Sequence, residues 1–134
     1  MQALGREEDR PQSARPVKTP LILENDGDLM IAPSLASVAG VVEPFHVEDG
    51  DWTSAYAADG ERLTYDFEHQ PYKGRLGTRE RWVVTLRPTG EDASTELRAK
   101  LMRLLQRLGH DRADDSTVAL PDLVGRLRAV VGDL

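Results

Sequence analysis

The sequence of 134 residues contains no cysteine. Disulfide bonds, a thiolate nucleophile and cysteine-ligated metals are therefore excluded, and the chain fits a reducing compartment. No apolar run approaches the roughly 20 residues that a membrane-spanning helix needs. The N-terminus is charged rather than apolar, so it does not have the character of a secretory signal. We therefore expect no membrane partner.

The sequence also lacks the short motifs that carry common enzyme chemistry. It has no HExxH motif, no GxSxG elbow, no glycine-rich phosphate loop and no dinucleotide-binding fingerprint. The three histidines, His46, His69 and His110, fall in different predicted elements. A catalytic or zinc site built on them would need long-range convergence. We therefore predict no catalytic residue, no cofactor and no enzymatic activity.

Negative charge is what the sequence has in excess, and it is unevenly distributed. The formal net charge is −6. Residues 21–68 carry eleven acidic residues against the single basic residue Arg62, whereas residues 69–89 carry five basic residues against Glu80. Such asymmetry bears on partners and association rates rather than on the fold. Because phosphate contacts need basic residues, the acidic stretch disfavours nucleic acid and favours a basic protein partner.

Length and composition indicate one folded domain that follows a short leader. A chain of this length buries one hydrophobic core rather than two. Residues 1–20 contain three prolines and many charges and offer little to bury, so we expect a flexible leader there. Residues 21–134 form the predicted single domain.

Turn residues and alternating side chains predict an antiparallel sheet in the first part of this domain. Asp26-Gly27 and Asp59-Gly60 each lie between apolar runs, which is the pattern of a tight β-hairpin. Residues 62–68 then alternate cleanly between apolar and polar side chains, as a half-buried strand does. The alternation also predicts that one face of the sheet is exposed to water.

Three further stretches have their own predictions. Residues 45–47 are expected to form a strand. Residues 69–79 contain one proline and two glycines, so an exposed, basic loop is expected there. Residues 81–87 alternate again, and we expect the last strand, with Trp82 buried on its inward face.

Helical signals occur on both sides of the predicted strands. Ser34 is suited to cap a short helix that ends before Pro44. Past Gly90 the apolar spacing becomes helical and predicts two helices, one over about residues 95–108 and one that begins near Pro121. The predicted fold class is therefore α+β: an antiparallel sheet of five to six strands with a short inserted helix and two C-terminal helices on one face.

Two groups of carboxylates resemble metal ligands, but simpler interpretations suffice for both. Glu24, Asp26 and Asp28 alternate as the oxygen ligands of a calcium loop do. Leu29 and Leu35 then stand where such a loop requires a glycine and a bidentate glutamate, whereas turn chemistry explains the acidic pattern. We therefore predict no metal site. The second group fits a solvated loop between helices and consists of His110, Asp111, Asp114 and Asp115.

The acidic residues at turns and on the outward strand face are the candidate protein interface. A run of charge is usually a solvated face, which is the alternative here. The density of these residues, with almost no compensating base, favours a surface that binds a cationic partner. The candidate interface residues are Glu48, Asp49, Asp51, Asp59, Glu61, Asp66 and Glu68.

The order of turn and cap residues over 21–65 resembles that of small bacterial proteins of the immunity type, which are encoded beside polymorphic toxins. The resemblance does not include the leader or the C-terminal helices, and no functional residue is carried over from it. It implies a non-enzymatic, cytoplasmic protein that binds and blocks one cognate effector. The segments that carry it are Asp26-Gly27-Asp28, Ser34-Leu35, Val42-Glu43-Pro44, Val47-Glu48-Asp49-Gly50 and Ala55-Tyr56-Ala57-Ala58-Asp59-Gly60.

Two functional hypotheses follow. The first is an inhibitor whose acidic face is attracted to the basic active-site cleft of a cognate toxin and occludes it. The second is a ligand-binding or regulatory domain, in which the aromatic residues line a pocket between the sheet and the helices. Because strand spacing places those aromatic residues in the core by default, the first hypothesis is preferred.

Overall fold

The computed structural model describes residues 16–134, except for the side chains of Tyr72 and Lys73. Within this range the chain forms five strands and four helices. The strands are β1 (Leu21–Asn25), β2 (Asp28–Ala32), β3 (Trp52–Tyr56), β4 (Glu61–Gly74) and β5 (Gly77–Asp92). The helices are α1 (Leu35–Val41), α2 (Pro44–Glu48), α3 (Ser94–Arg107) and α4 (Leu120–Val131).

The strands form one antiparallel sheet in the order β2-β1-β3-β4-β5. The turn between β1 and β2 has positive φ at both Asp26 (51°) and Gly27 (86°), which is the geometry of the tight hairpin turn that the sequence predicts. The turn before β4 has positive φ at Gly60 (93°). The predicted class, an antiparallel sheet with an inserted helix and two C-terminal helices, is confirmed.

The helix ends also follow local chemistry. The hydroxyl of Ser34 accepts a hydrogen bond from the backbone N–H of Ser37 at 3.2 Å, so the predicted cap of α1 is confirmed. Pro121 lies in the first turn of α4, where its missing N–H is not needed. The chain leaves α3 through Gly109, whose φ of 77° suits glycine.

One face of the sheet packs against α3 and α4. The leucines of α3 and α4 recur at helical spacing, so each helix turns one apolar stripe toward the sheet. Tyr56 from β3 lies fully buried among them. Fully buried members of this core include Ile22, Tyr56, Leu97, Leu101, Leu105, Leu123 and Leu127.

On β1, β2 and β3 the opposite face of the sheet is also covered, so the prediction of a solvent-exposed face is wrong there, whereas Thr64, Glu68 and Arg87 on β4 and β5 are exposed as predicted. Val38 of α1 and the adjoining Val42 are buried there. Side chains that alternate with those of the first core complete this second core, which is why both faces of the short strands read as apolar. Its fully buried members from the strands include Leu21, Leu23, Ala55 and Val84.

The strand predicted at residues 45–47 is instead helical, because these residues belong to α2. Pro44 occupies the first turn, where its restricted φ favours a helix start. The backbone N–H of Asp49 then donates to the carbonyl of Phe45 at 3.1 Å, which closes the helical turn. Val47 is only partly buried against the second core. Among the described strands, none pairs with residues 45–47, although their apolar side chains suggested such a pairing.

The prediction of a loop at residues 69–79 is also wrong, because β4 and β5 continue as a paired hairpin up to Gly74 and Gly77. The proline and glycines were read as breakers of regular structure. Pro71 is tolerated because β4 has no second neighbour at that point, and an open edge requires no backbone donor. Most residues of the stretch whose burial is described are exposed, as predicted.

The prediction that Trp82 is buried is also wrong, because its side chain is 58% exposed. Its position opposite His69 continues the row of pairs formed by Phe67 with Val84 and by Tyr65 with Leu86. The alternation therefore identified its face correctly. Val84 on that face is fully buried, but the cover provided by α1 ends before Trp82.

The predicted leader, residues 1–20, lies only in part within the described residues. Residues 1–15 lie outside the described residues. Nearer the sheet, Val17 is half-buried and packs against the second core. The carbonyl of Lys18 accepts a hydrogen bond from the N–H of Ala58 at 3.1 Å. The last part of the predicted leader therefore contacts the domain.

Candidate protein-binding surfaces

The two turns at one end of the sheet gather acidic residues. Asn25 pairs with Trp52 across β1 and β3, so the turn that follows Asn25 and the turn that precedes Trp52 lie side by side. Both turns are Asp-Gly turns, which need polar residues that tolerate unusual backbone angles. We call this region the acidic end, and it consists of Asp26, Asp28, Glu48, Asp49 and Asp51.

Part of the negative charge of the acidic end is neutralised locally. Asp28 accepts a hydrogen bond from Arg107 of α3, and Asp51 lies 2.9 Å from the Nδ1 of His46. No ion pair with the other three carboxylates occurs among residues 16–134, and all three are exposed. Phe45, in the helix that leads into this end, is 63% exposed. An exposed ring and unpaired carboxylates thus lie within a few residues of each other in the chain.

The structure does not bring the whole predicted acidic set together. Asp59 and Glu61 lie at the opposite end of β3, where the N–H of Gly90 donates to Glu61 at 2.8 Å. Asp66 forms an ion pair with Arg87 on the neighbouring strand. Glu68 is exposed and lies further along β4. Glu48, Asp49 and Asp51 are therefore the members that share one surface.

The outer part of the β4–β5 hairpin is a second surface, which we call the arm (residues 69–82). β4 pairs with β3 only at residues 62 and 63, and β5 is the last strand of the sheet, so both edges of the arm are open. The register places the start of β3 level with residue 66. At about 3.3 Å per residue, the hairpin extends roughly 25 Å beyond that level, past the acidic end.

The two faces of the arm differ in chemistry. On one face the rings of His69 and Trp82 lie 4.4 Å apart at 39°, and the Nδ1 of His69 lies 2.9 Å from a carboxylate oxygen of Glu80. Arg79 and Arg81 alternate with Trp82 and so point from the opposite face. The arm therefore combines an exposed aromatic pair with basic residues.

A partly buried polar network ties the sheet to α3, and the sequence alone did not indicate it. The ammonium of Lys100 donates to Glu24 at 2.8 Å and to the hydroxyl of Tyr56 at 2.7 Å. Arg62 donates to Glu96 at 2.6 Å, and the hydroxyl of Tyr56 also donates to Glu96. Its members come from four elements separated by up to 76 positions, so no local pattern could have revealed them.

The pKa values within this network are shifted in the direction that keeps every group in its hydrogen-bonding form. Burial raises the pKa of Tyr56, as does its hydrogen bond to Glu96, so the hydroxyl stays protonated as a donor. Burial works to raise the pKa of Glu24, but hydrogen bonding to and attraction by Lys100 outweigh it and lower that pKa. Burial works to lower the pKa of Lys100, but its hydrogen bonds to Glu24 and Tyr56 outweigh burial and raise that pKa. The groups of this network therefore satisfy each other's hydrogen-bonding capacity.

The group between α3 and α4 that the sequence assigned to a solvated loop includes a buried residue and acts as a structural brace. Asp115 is 2% exposed, and its carboxylate accepts the N–H of Arg112 at 2.8 Å as well as a hydrogen bond from Arg126. Arg126 also binds Asp114 through two nitrogens, at 2.8 and 3.0 Å. His110 is exposed. Among the described residues, no three His, Asp or Glu side chains are grouped as metal ligands.

Two grooves lie on the outer surface of the domain. One, of about 390 Å³, runs between β2, the end of α3 and the last residues of the chain, and it is lined by Met30, Leu108 and Leu134 among others. The other, of about 810 Å³, lies along α4 beside His110 and Arg126. Neither groove contains the aromatic residues that the second hypothesis placed around a ligand.

The chain has no match among protein-family models, curated proteins or solved structures. Across residues 16–134, no helix has both the length and the apolar character needed to cross a membrane. Its function must therefore be inferred from the surfaces described above.

Proposed function

We propose that this chain is a non-enzymatic inhibitor of the immunity type, which acts in the bacterial cytoplasm. It binds a cognate toxin that has a basic surface, and its acidic end occludes the basic active-site cleft of that toxin. The observation that carries this proposal is the convergence of Glu48 and Asp49 with Asp26 on one exposed end of the sheet, without an ion-pair partner in the described chain.

The physical argument concerns the cost of leaving such charge exposed. Like charges gathered in one region repel each other, and a cationic partner relieves that repulsion. Phe45 adds an exposed aromatic ring beside the carboxylates, and aromatic anchors are typical of binding hot spots. Exposed carboxylates with an exposed aromatic ring nearby in the chain fit a basic protein cleft better than they fit a nucleic acid, whose phosphates the carboxylates would repel.

The non-enzymatic part of the proposal rests on how the polar residues are engaged. A general base or nucleophile must reach a substrate atom. The hydroxyl of Tyr56, which has the most enzyme-like setting, is held by Glu96 and Lys100, and its residue is fully buried. The network therefore braces the helix on the sheet rather than facing a substrate.

A role in binding a small ligand is the second candidate. The groove beside β2 favours it, because apolar side chains line a concave surface with Arg107 and Asp28 at its rim. The first proposal predicts that Leu108→Glu, which adds charge to this groove, leaves toxin binding unchanged. Loss of toxin binding in that variant would place the toxin contact at the groove rather than at the acidic end.

The test begins with recovery of the partner from the native host and continues with association kinetics across a salt series. We expect Glu48→Gln with Asp49→Asn to slow association about tenfold at low salt, with the difference shrinking as salt screens the charges. The matched control is Asp111→Asn with Asp122→Asn, which changes the net charge equally but lies between α3 and α4 and in α4.

The proposal also requires that the wild-type chain abolishes the activity of the recovered toxin at equimolar concentration. Equal association rates for the acidic-end variant and the control variant would contradict the proposed surface. Binding without inhibition would contradict the proposed role.

A further inference from the structure

The arm is built like a docking element. A two-stranded ribbon without further strands is marginally stable in water, and an exposed aromatic pair on it adds apolar surface that a partner would cover. Trp82 is 58% and Leu76 is 83% exposed. Both strand edges are open, so backbone donors and acceptors are available as well.

The charges on β5 disfavour some registers of edge pairing between two arms. In an antiparallel pair of identical strands related by a two-fold axis, directly opposite residues lie on the same face, so the pairing centres on a residue. Centring on Arg79, Glu80 or Arg81 sets that residue opposite its own copy. Like charges directly opposite each other destabilise a strand pair. These three registers are therefore disfavoured, whereas a contact between opposite charges is favoured.

The acidic end offers the complementary chemistry. The arm carries Arg75 and Arg79, both exposed, whereas the acidic end carries Glu48 and Asp49, also exposed. The two surfaces are thus complementary in charge through the face of the arm that carries Arg79, whereas Trp82 points from the opposite face. Because the arm extends away from its own acidic end, a second copy of the chain can supply the match.

We propose that two copies of this chain associate about a two-fold axis, with the arm of each copy lying on the acidic end of the other. Such an interface is closed and reciprocal, because the same two surfaces meet twice. The opposite charges hold the two surfaces together and fix the orientation of the two copies.

This inference stands on the charges of the chain itself and does not depend on the inhibitor role. If both proposals hold, the arm of the second copy and the basic surface of the toxin compete for the same acidic end. The oligomeric state is measured on the pure protein without toxin, so failure of one proposal is distinguishable from failure of the other.

The first experiment is sedimentation velocity on the full chain from about 1 μM to about 1 mM, at low and high salt. We expect a monomer–dimer equilibrium whose dissociation constant rises at least about tenfold with salt, since opposite charges hold the interface. A monomer throughout this range would overturn the proposal. A dimer that is insensitive to salt would overturn it as well.

A charge swap then tests which surfaces meet. The arm variant carries Arg75→Glu with Arg79→Glu, and the acidic-end variant carries Glu48→Arg with Asp49→Arg. Each variant alone sets like charges against each other, and we expect its dissociation constant to rise more than about tenfold. Equimolar mixing restores opposite charges at both contacts, so a heterodimer should form with near wild-type affinity.

Two readouts protect this test from trivial explanations. Circular dichroism and thermal melting of each variant report whether the fold is retained, which the surface location of all four positions favours. Trp82→Ala alters the opposite face of the arm without a change of charge, and we expect it to leave the dissociation constant within about twofold of wild type. Dimers that persist in both charge variants, or a mixture that fails to associate, would overturn the proposed contact.

Discussion

The inner and outer parts of the β4–β5 hairpin have the same alternation of side chains but opposite surroundings. In the inner part, Val84 is fully buried and Leu86 is 3% exposed, because α1 and the neighbouring strands cover that face. In the outer part, Trp82 lies on the same face and is 58% exposed. Arg62 further ties the inner part to α3 through Glu96.

This difference shows that alternation specifies which face a residue occupies and does not specify whether anything covers that face. A strand that is longer than its neighbours carries its pattern past the end of the core. The apolar residues beyond that point are then free to serve binding rather than folding. The arm and the acidic end beside its base are therefore the regions that we propose as binding surfaces for another protein.

The sharpest test of the comparison is a pair of truncations on the same strand face. Leu86→Ala should lower the free energy of unfolding by about 2–5 kcal/mol, because it leaves a cavity in the second core. Trp82→Ala should lower it by less than about 1 kcal/mol, because the larger side chain is mostly exposed. Urea denaturation of both variants provides the measurement. A cost for Trp82→Ala as large as that for Leu86→Ala would remove the distinction between the two parts.

The next largest effect concerns the turn that leads into the inner part. A Cβ added to Gly60 would lie 2.6 Å from the Cβ of Ser94, whereas one added to Gly27 would meet nothing within 4 Å. Both glycines have positive φ, so alanine is strained at either position. We expect Gly60→Ala to cost about 2–3 kcal/mol and Gly27→Ala about 1 kcal/mol. Equal losses in thermal melting would show that the close approach to α3 is unimportant.

The smallest expected effect is the acid sensitivity of the network that anchors the inner part. The hydrogen bonds from Tyr56 and Arg62 lower the pKa of Glu96 below its ordinary value of 4.5. A carboxylate with a lowered folded-state pKa contributes stability above its unfolded pKa, and this contribution is lost as pH falls through the folded value.

We therefore expect Glu96→Gln to lower the free energy of unfolding by up to about 1 kcal/mol at pH 7, a modest value because the carboxylate is 40% exposed and partly screened. The difference from wild type should shrink below about pH 4. Asp111→Asn is the control, and its unfolding curve should run parallel to that of wild type. A Glu96→Gln difference that is independent of pH would contradict the assigned cause.

Much of the fold followed from local patterns. Ser34 caps α1 as predicted, the turn at Asp26-Gly27 has the expected positive φ angles, and the class is α+β. The errors arose where a local signal was ambiguous. Pro44 ends one helix but begins the next, and Pro71 lies within a strand because its edge is open. In both places the neighbouring chain, and not the residue type, decided the outcome.

The candidate surfaces were predictable only in part. The sequence located the excess acidic charge, but it could not tell that Asp59 lies at the opposite end of β3 from Asp49 or that Asp66 is paired with Arg87. It also located the basic charge of residues 69–89 without indicating that it lies on a projecting hairpin. Strand register determines these distances, and register is set by contacts between residues far apart in the chain.

By itself, the sequence determined the features that depend on a few adjacent residues: the tight turns, the helix caps, the period of each apolar stripe and the charge carried by each stretch. The tertiary structure decided which faces are covered and which charges meet. Covering Val84 while leaving Trp82 exposed depends on where α1 ends over the sheet. Such coverage is a property of packed elements, because burial requires a neighbour that no local pattern contains.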